Sequence, residues 1–149
     1  MLQHPDPGSG KQIIPIEIIK IPPTGRHIFL RGRIGRKRVR FLIDTGASSC
    51  VLDSTFVHHA FPRAILRNTE HLTTGLGASL PNSIFTRMRR VKAGSFSLGS
   101  IDFAVLDLST VNSAYLESGL EPVQAIIGGD ILHALDAVID YGKKQLLLS

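Results

Sequence analysis

Phe41-Leu42-Ile43-Asp44-Thr45-Gly46-Ala47 sets an acidic residue directly behind three apolar ones. The apolar run reads as the end of a buried strand, and Gly46 lets the chain turn sharply just beyond it. A carboxylate in that position is not an ordinary surface charge. Apolar surroundings disfavour its ionised form, and a second carboxylate nearby would raise one pKa further, so that the pair shares a proton. Such a pair suits general acid-base work: one member takes a proton from water as it attacks a carbonyl, and the other protonates the substrate oxygen.

Upstream of this stretch, 28–34 and 38–43 are β-compatible runs on either side of Gly35-Arg36-Lys37, the pattern of a hairpin whose second strand leads into Asp44. Before the hairpin, Ile13, Ile14, Ile16, Ile18, Ile19 and Ile21 form one β-branched run closed by Pro22-Pro23, and they predict a strand. Downstream, residues 53–60 predict one or two helical turns, with Asp53 or Ser54 as N-cap and Pro62 as the stop. Ser83–Ala93, 95–98 and 101–108 read as strands, with Gly94 and Gly99-Ser100 as the turns between them. Residues 109–124 lack a period and predict an irregular excursion, with one helical turn at 113–118 stopped by Gly119. Ala125-Ile126-Ile127-Gly128-Gly129 predicts a buried strand and turn, followed by a short helix over 131–135 capped by Asp130. Strands at 137–140 and Gln145–Leu148 close the chain. This many short strands with one or two short helices predict an all-β domain with a closed, barrel-like sheet.

At 149 residues there is room for one domain, because domains usually span about 50 to 250. The hydrophobic fraction of 43% against 19% charged is too apolar for a disordered chain. Seventeen Lys+Arg against 12 Asp+Glu give +5, well short of a dedicated nucleic-acid binder. A lone cysteine, Cys50, excludes an internal disulfide framework and any Cys-pair zinc site. Residues 1–10 are polar and rich in Pro and Gly, and read as a flexible tail. With no signal-like apolar run and no membrane-length segment, the expectation for a complete chain is a soluble, cytoplasmic protein.

Asp44-Thr45-Gly46-Ala47 after three apolar residues resembles the active-site signature of the retropepsin-like aspartic proteases. In that family a later apolar pair followed by Gly, leading into a short helix, packs beneath the catalytic loop; 125–135 looks like it. Gly75-Leu76-Gly77 lies between the two, where the family carries its flap. The resemblance covers about residues 11–149 and is closest to bacterial single-domain members, which share Gly128-Gly129-Asp130 and Val138-Ile139-Asp140-Tyr141. It implies a retropepsin-like acid protease barrel with one lobe per chain. It also implies an endopeptidase that hydrolyses peptide bonds in an extended peptide or protein substrate, without a cofactor or a metal. Only one Asp-Thr-Gly is present and two carboxylates are needed, so the implied enzyme is a homodimer with an Asp44 from each subunit at the two-fold axis. Asp44, Thr45 and Gly46 are then the catalytic residues, the Thr45 hydroxyls interlocking across the axis and the Gly46 amide supporting the carboxylate. Ala47, Ser48, Gly75, Leu76 and Gly77 would contact substrate. Retroviral members typically pair an acidic residue with an arginine at the positions that hold Ser48 and Gly129 in this chain.

Other readings compete at several positions. Gly75-Leu76-Gly77 fits a plain hairpin turn as well as a flap. Arg31, Arg33, Arg36, Lys37, Arg38 and Arg40 crowd one hairpin, and Arg87, Arg89, Arg90 and Lys92 form a second cluster. A solvated face explains them better than nucleic-acid binding, because few aromatics are interleaved for base stacking. The alternative to the protease is nevertheless a non-catalytic dimeric β module that holds nucleic acid or an acidic protein on that basic hairpin. His58-His59 are adjacent and so point apart on a helix, unlike zinc ligands on one face. Cys50 has no paired base and reads as a small buried hydrophobe.

Overall fold

The computed structural model describes residues 10–69 and 83–149. All but the last residue of the expected tail therefore lies outside the described residues. The long hairpin comes first in the architecture: β3 (Gly25–Ile34) and β4 (Lys37–Ile43) pair antiparallel from Ile28↔Ile43 to Ile34↔Lys37, around Gly35 at φ 58. Alternation decides which side faces the core. Ile28, Leu30, Ile34, Val39, Phe41 and Ile43 are buried inward, while Arg31, Arg33 and Arg38 point out.

The isoleucine run is two strands rather than one. β1 (Gln12–Pro15) pairs with the C-terminal strand β11 (Gln145–Leu148), and β2 (Glu17–Ile21) pairs with β3. Ile16 is the crossing point, its amide donating to the Lys144 carbonyl at 3.1 Å. β10 (Val138–Asp140) completes a small sheet in the order β1-β11-β10.

The larger sheet adds β5 (Val51–Asp53), β6 (Arg67–Thr69), β7 (Ser83–Ala93), β8 (Phe96–Leu106) and β9 (Ala125–Ile127), in the order β2-β3-β4-β9-β5-β8-β7-β6. A further pairing, β3 with β7 through Gly32↔Ala93, Arg33↔Lys92 and Ile34↔Val91, closes it into a barrel. Closure needs a glycine at 32. A Cβ there would run into the Lys92 carbonyl and come within 2.7 Å of the Phe41 ring. The barrel interior holds Phe41, Phe103, Leu30, Ile34, Leu52 and Val91, and full burial of each large side chain contributes about 1.5–3 kcal/mol.

Two further stretches depart from the sequence expectations. Gly99-Ser100 does not separate two strands, because β8 runs through it. The partner strand bulges between Met88 and Val91, with Arg90 at φ 55 and Gly99 at φ 72 opposite Val91. The left-handed glycine answers the extra residue of a bulge, not a chain reversal. The stretch 109–124 is more regular than expected, since α2 (Ser109–Glu117) is a full helix before Gly119 at φ 73. Tyr115 alone is buried on it, so no apolar stripe advertises it. Tyr115 joins Phe29, Val51, Ala104, Leu108 and Val123 in a second cluster on the outer face of the barrel. With α1 (Ser54–Ala60), capped by the Asp53 carboxylate through the Phe56 amide, and α3 (Gly129–Ala134), the described residues contain three helices where one or two were expected.

Candidate active site

Asp44 follows β4 immediately, and the way β9 is inserted fixes where that strand ends. β9 lies parallel to β4 in the register Phe41↔Ala125, Leu42↔Ile126 and Ile43↔Ile127, and antiparallel to β5 on its other side. The loop from Asp44 to Cys50 must therefore leave one neighbour of β9 and return on the other. The Asp44 amide extends the ladder by donating to Ile127 O at 3.0 Å, and the Gly129 amide donates to Ala47 O at 2.7 Å. Gly128 is forced by space, since a Cβ would meet Ser49 O at 2.6 Å and Ala47 O at 2.8 Å.

Within the loop, the Gly46 amide donates to Asp44 Oδ1 at 2.9 Å, and the Ala47 amide donates to the Asp44 carbonyl at 3.2 Å. Asp44 Oδ2 has no hydrogen-bond partner among the described residues. Asp44, Thr45, Gly46 and Ser48 are exposed in the protomer, so the apolar burial expected for the carboxylate is absent from a single chain. The reason is geometric: Phe41 and Ile43 face the barrel interior, but Asp44 sits one residue beyond its rim.

Beneath the loop lies a contact that sequence reasoning missed. Asp130, expected to cap α3, does not cap it; Gly128 occupies the cap position and no side chain bonds there. The Asp130 carboxylate instead accepts from the Cys50 amide at 3.1 Å, the Cys50 thiol at 3.2 Å and the Ile131 amide at 2.8 Å. The Gly128 amide in turn donates to Cys50 Sγ at 3.4 Å. Burial pushes the Cys50 thiol well above its ordinary range, the Gly128 amide opposes that shift, and the Asp130 charge adds to it. A protonated thiol is the donor this arrangement needs. Cys50 is thus buried as expected, yet it also ties the loop to α3.

Asp44 and Thr45 open onto a cleft of about 290 Å³ lined also by Arg26, His27, Leu42, Ile139 and Tyr141. His27 Nδ1 and the Tyr115 hydroxyl share a hydrogen bond at 2.8 Å. Burial raises the Tyr115 pKa, while Arg40 lowers it and the Asp44 charge raises it. Of the expected substrate contacts, Ala47 and Ser48 do not line this cleft, and Gly75-Leu76-Gly77 lie outside the described residues. Family likeness marked the segment that holds Ile139 and Tyr141, but nothing in the spacing announced that it and His27 would meet at the Asp44 loop, because three separate segments come together there. Among the described residues no group of three or more His, Cys, Asp or Glu side chains is placed to hold a metal ion, and no helix is long and apolar enough to cross a membrane.

Known proteins resemble this chain in sequence pattern and in fold. The family model described as aspartyl protease matches residues 30–131, from β3 through the loop to the start of α3. Among solved structures, a retropepsin-like aspartic protease from Rickettsia conorii superposes with a TM-score of 0.55 at 16% identity, covering 93% of this chain and 90% of that one. The retroviral protease-like domain of Ddi1 from Leishmania major gives 0.51 at 14% identity, covering 81% of this chain and 86% of that one. At such identities the likeness speaks for the fold. The family match spans more than half of the chain, including Asp44-Thr45-Gly46 and Gly128, and the chain belongs to the aspartyl protease family, with a single retropepsin-like lobe.

Proposed function

We propose that this chain is an aspartic endopeptidase that acts as a homodimer, with Asp44 from each protomer activating one water molecule. The observation that carries the reading is the state of Asp44: Oδ1 is held by the Gly46 amide, while Oδ2 is open at the mouth of a cleft. One exposed carboxylate cannot be both acid and base in the same step. A second Asp-Thr-Gly loop, facing the first across a two-fold axis, supplies the other, and like charges that close leave one carboxyl protonated.

The chemistry then follows. The ionised carboxylate takes a proton from water as its oxygen bonds to the peptide carbonyl carbon, and the protonated carboxyl gives its proton to the carbonyl oxygen. The neutral diol that results collapses when the carboxyl that took the water proton gives it to the amide nitrogen, the other carboxylate takes a proton from a diol hydroxyl, and the C–N bond breaks. Both carboxyls end as they began, so no covalent intermediate with the enzyme forms. Thr45 and Gly46 position the pair; Ala47, Ser48 and the Gly75-Leu76-Gly77 stretch contact an extended peptide.

Cleavage of a mixed peptide library from acid to neutral pH tests this reading. Asp44→Asn lowers the rate at least about a hundredfold, the lower range for losing a general acid-base group. Mixing is more specific to the shared site: when wild-type and Asp44→Asn chains are combined at fixed total concentration, activity falls with the square of the wild-type fraction. Equal cleavage by both proteins, or a linear dependence on that fraction, refutes the two-chain site.

A further inference from the structure

The outer face of the β3–β4 hairpin carries an arrangement that peptide hydrolysis does not use. Arg31 stands directly opposite Arg40, and Arg33 opposite Arg38, while Lys92 joins Arg33 across the barrel seam. Cross-strand partners share a face, and like charges opposed in this way destabilise a sheet unless something answers them. Among the described residues carboxylates answer only one of the five: Arg31 Nε donates to Glu17 at 3.2 Å and Arg31 Nη2 to Glu121 at 3.0 Å. The side chains of Arg33, Arg38 and Lys92 have no hydrogen bond or ion pair among the described residues.

Arg40 differs in kind from the exposed cations around it. Only 6% exposed, it lies with its guanidinium carbon 3.9 Å from the centre of the Phe29 ring and donates from Nη1 to the Glu121 carbonyl at 2.6 Å. Its Nε is a buried donor with no partner among the described residues. A solvated face explains exposed arginines, but it does not explain a buried charged donor left unpaired. Arg31, Arg33, Arg38 and Arg40 all line one groove of about 720 Å³, with Glu121 and Gln124 as its other polar side chains and Phe56 and Pro122 among its apolar ones. Arg38 and Arg40 precede Asp44 by six and four residues along an extended strand, which places the groove roughly 13–20 Å from the carboxylate.

We propose that this groove is a binding site for a phosphate-type oxyanion, separate from the peptide cleft. Planar guanidinium forks match tetrahedral oxyanions bidentately, and several converging cations favour a multiply charged group over a single carboxylate. Carboxylates already present on the rim engage Arg31 alone. The recognised chemistry is the phosphoryl group, either free as inorganic phosphate or tripolyphosphate, or carried on a small molecule such as a nucleoside triphosphate.

Calorimetric titration of the full chain with phosphate, tripolyphosphate and adenosine triphosphate, against chloride at matched ionic strength, tests the proposal. Saturable binding is expected, with an affinity at least about tenfold weaker in the double variant Arg33→Gln/Arg38→Gln, the effect of losing one or more charge-assisted hydrogen bonds. Both replaced side chains are exposed, so the fold is retained. Arg63→Gln, an exposed cation elsewhere, leaves binding unchanged. Comparable affinity for tripolyphosphate and the nucleotide assigns recognition to the phosphoryl chain, and binding of free phosphate alone assigns it to the inorganic ion. Unaltered affinity in the double variant, no saturable heat with any of the three, or binding of a single-stranded oligonucleotide where all three fail overturns it. Binding is the readout, and Asp44→Asn gives the same result, so the outcome is independent of the peptidase reading.

Discussion

Gly128→Ala tests the claim that steric fit beneath the loop holds Asp44 in place. Gly128 has φ −100 and ψ −177, an extended conformation open to any residue, so alanine brings no backbone strain. The cost is space. The new Cβ would lie 2.6 Å from Ser49 O, 2.7 Å from Ser49 C and 2.8 Å from Ala47 O, whereas ordinary contact begins at 3.4 Å, so the loop must yield by 0.8 Å. These atoms are backbone and cannot rotate aside. Their displacement stretches the 2.7 Å bond from the Gly129 amide to Ala47 O and the 3.0 Å bond from the Asp44 amide to Ile127 O. Overpacking of this kind costs about 1–3 kcal/mol. For a domain of this length each kcal/mol moves the melting midpoint by about 2–4 °C, so a fall of about 5 °C is expected. Peptide cleavage should fall further, by about a hundredfold, because a displacement near 1 Å disrupts alignment of reacting groups. Calorimetry and a peptide-cleavage assay read the two effects, with Gly10→Ala, whose Cβ meets nothing within 4 Å, as the control. A Gly128→Ala protein that melts within about a degree of wild type and cleaves at the wild-type rate refutes the reasoning.

Three further outcomes follow from the same contacts. Asp130→Ala leaves the buried Cys50 amide without an acceptor and should lower stability by about 1–3 kcal/mol in urea titrations, while Cys50→Ala in that background adds less than it does alone. Burial keeps the Cys50 proton in the folded state, so the unfolded chain releases it first as pH rises past the ordinary thiol value of 9.0. Stability from this group is whole below that pH and declines above it by up to about 1.4 kcal/mol per pH unit, and Cys50→Ala should flatten that slope in urea midpoints between about pH 8 and 10. Tyr115→Phe removes the hydroxyl bonded to His27 and should cost about 1 kcal/mol; an unchanged midpoint would mean that the 2.8 Å contact adds nothing net.

Much of the fold was legible because its signals are local. The alternation in 28–34 and 38–43 predicts the hairpin and its inward face, since a strand's period of two is written in adjacent residues. Asp44-Thr45-Gly46 marks the loop, and Asp53 marks the start of α1 through its own helix amides. The failures share a cause. Pro15 interrupts the isoleucine run where β1 ends, yet no residue between Gln12 and Ile21 records that the two halves pair with β11 and β3, partners so distant in the chain. Gly99 signals a left-handed residue, but whether it serves a turn or a bulge depends on the facing strand. Asp130 has the right residue type for a helix cap, but it sits inside the first turn of α3, where its carboxylate accepts from the Cys50 amide and thiol as well as from the Ile131 amide.

The sequence by itself determined the strand-rich character, the acid-bearing loop and its family likeness, because each lies in a few consecutive residues and in the turn preferences of glycine. Tertiary structure alone decided that β9 would slot between β4 and β5, that Gly128 would have to be small, and that His27, Ile139 and Tyr141 would meet around Asp44. It also set the arginines that crowd the hairpin in opposed pairs, with Arg40 buried and incompletely bonded among the described residues. The physical reason is range. Propensity and periodicity act between neighbours, whereas register, closure of a barrel and the pairing of buried polar atoms join segments tens of residues apart, whose proximity exists only once the chain has folded.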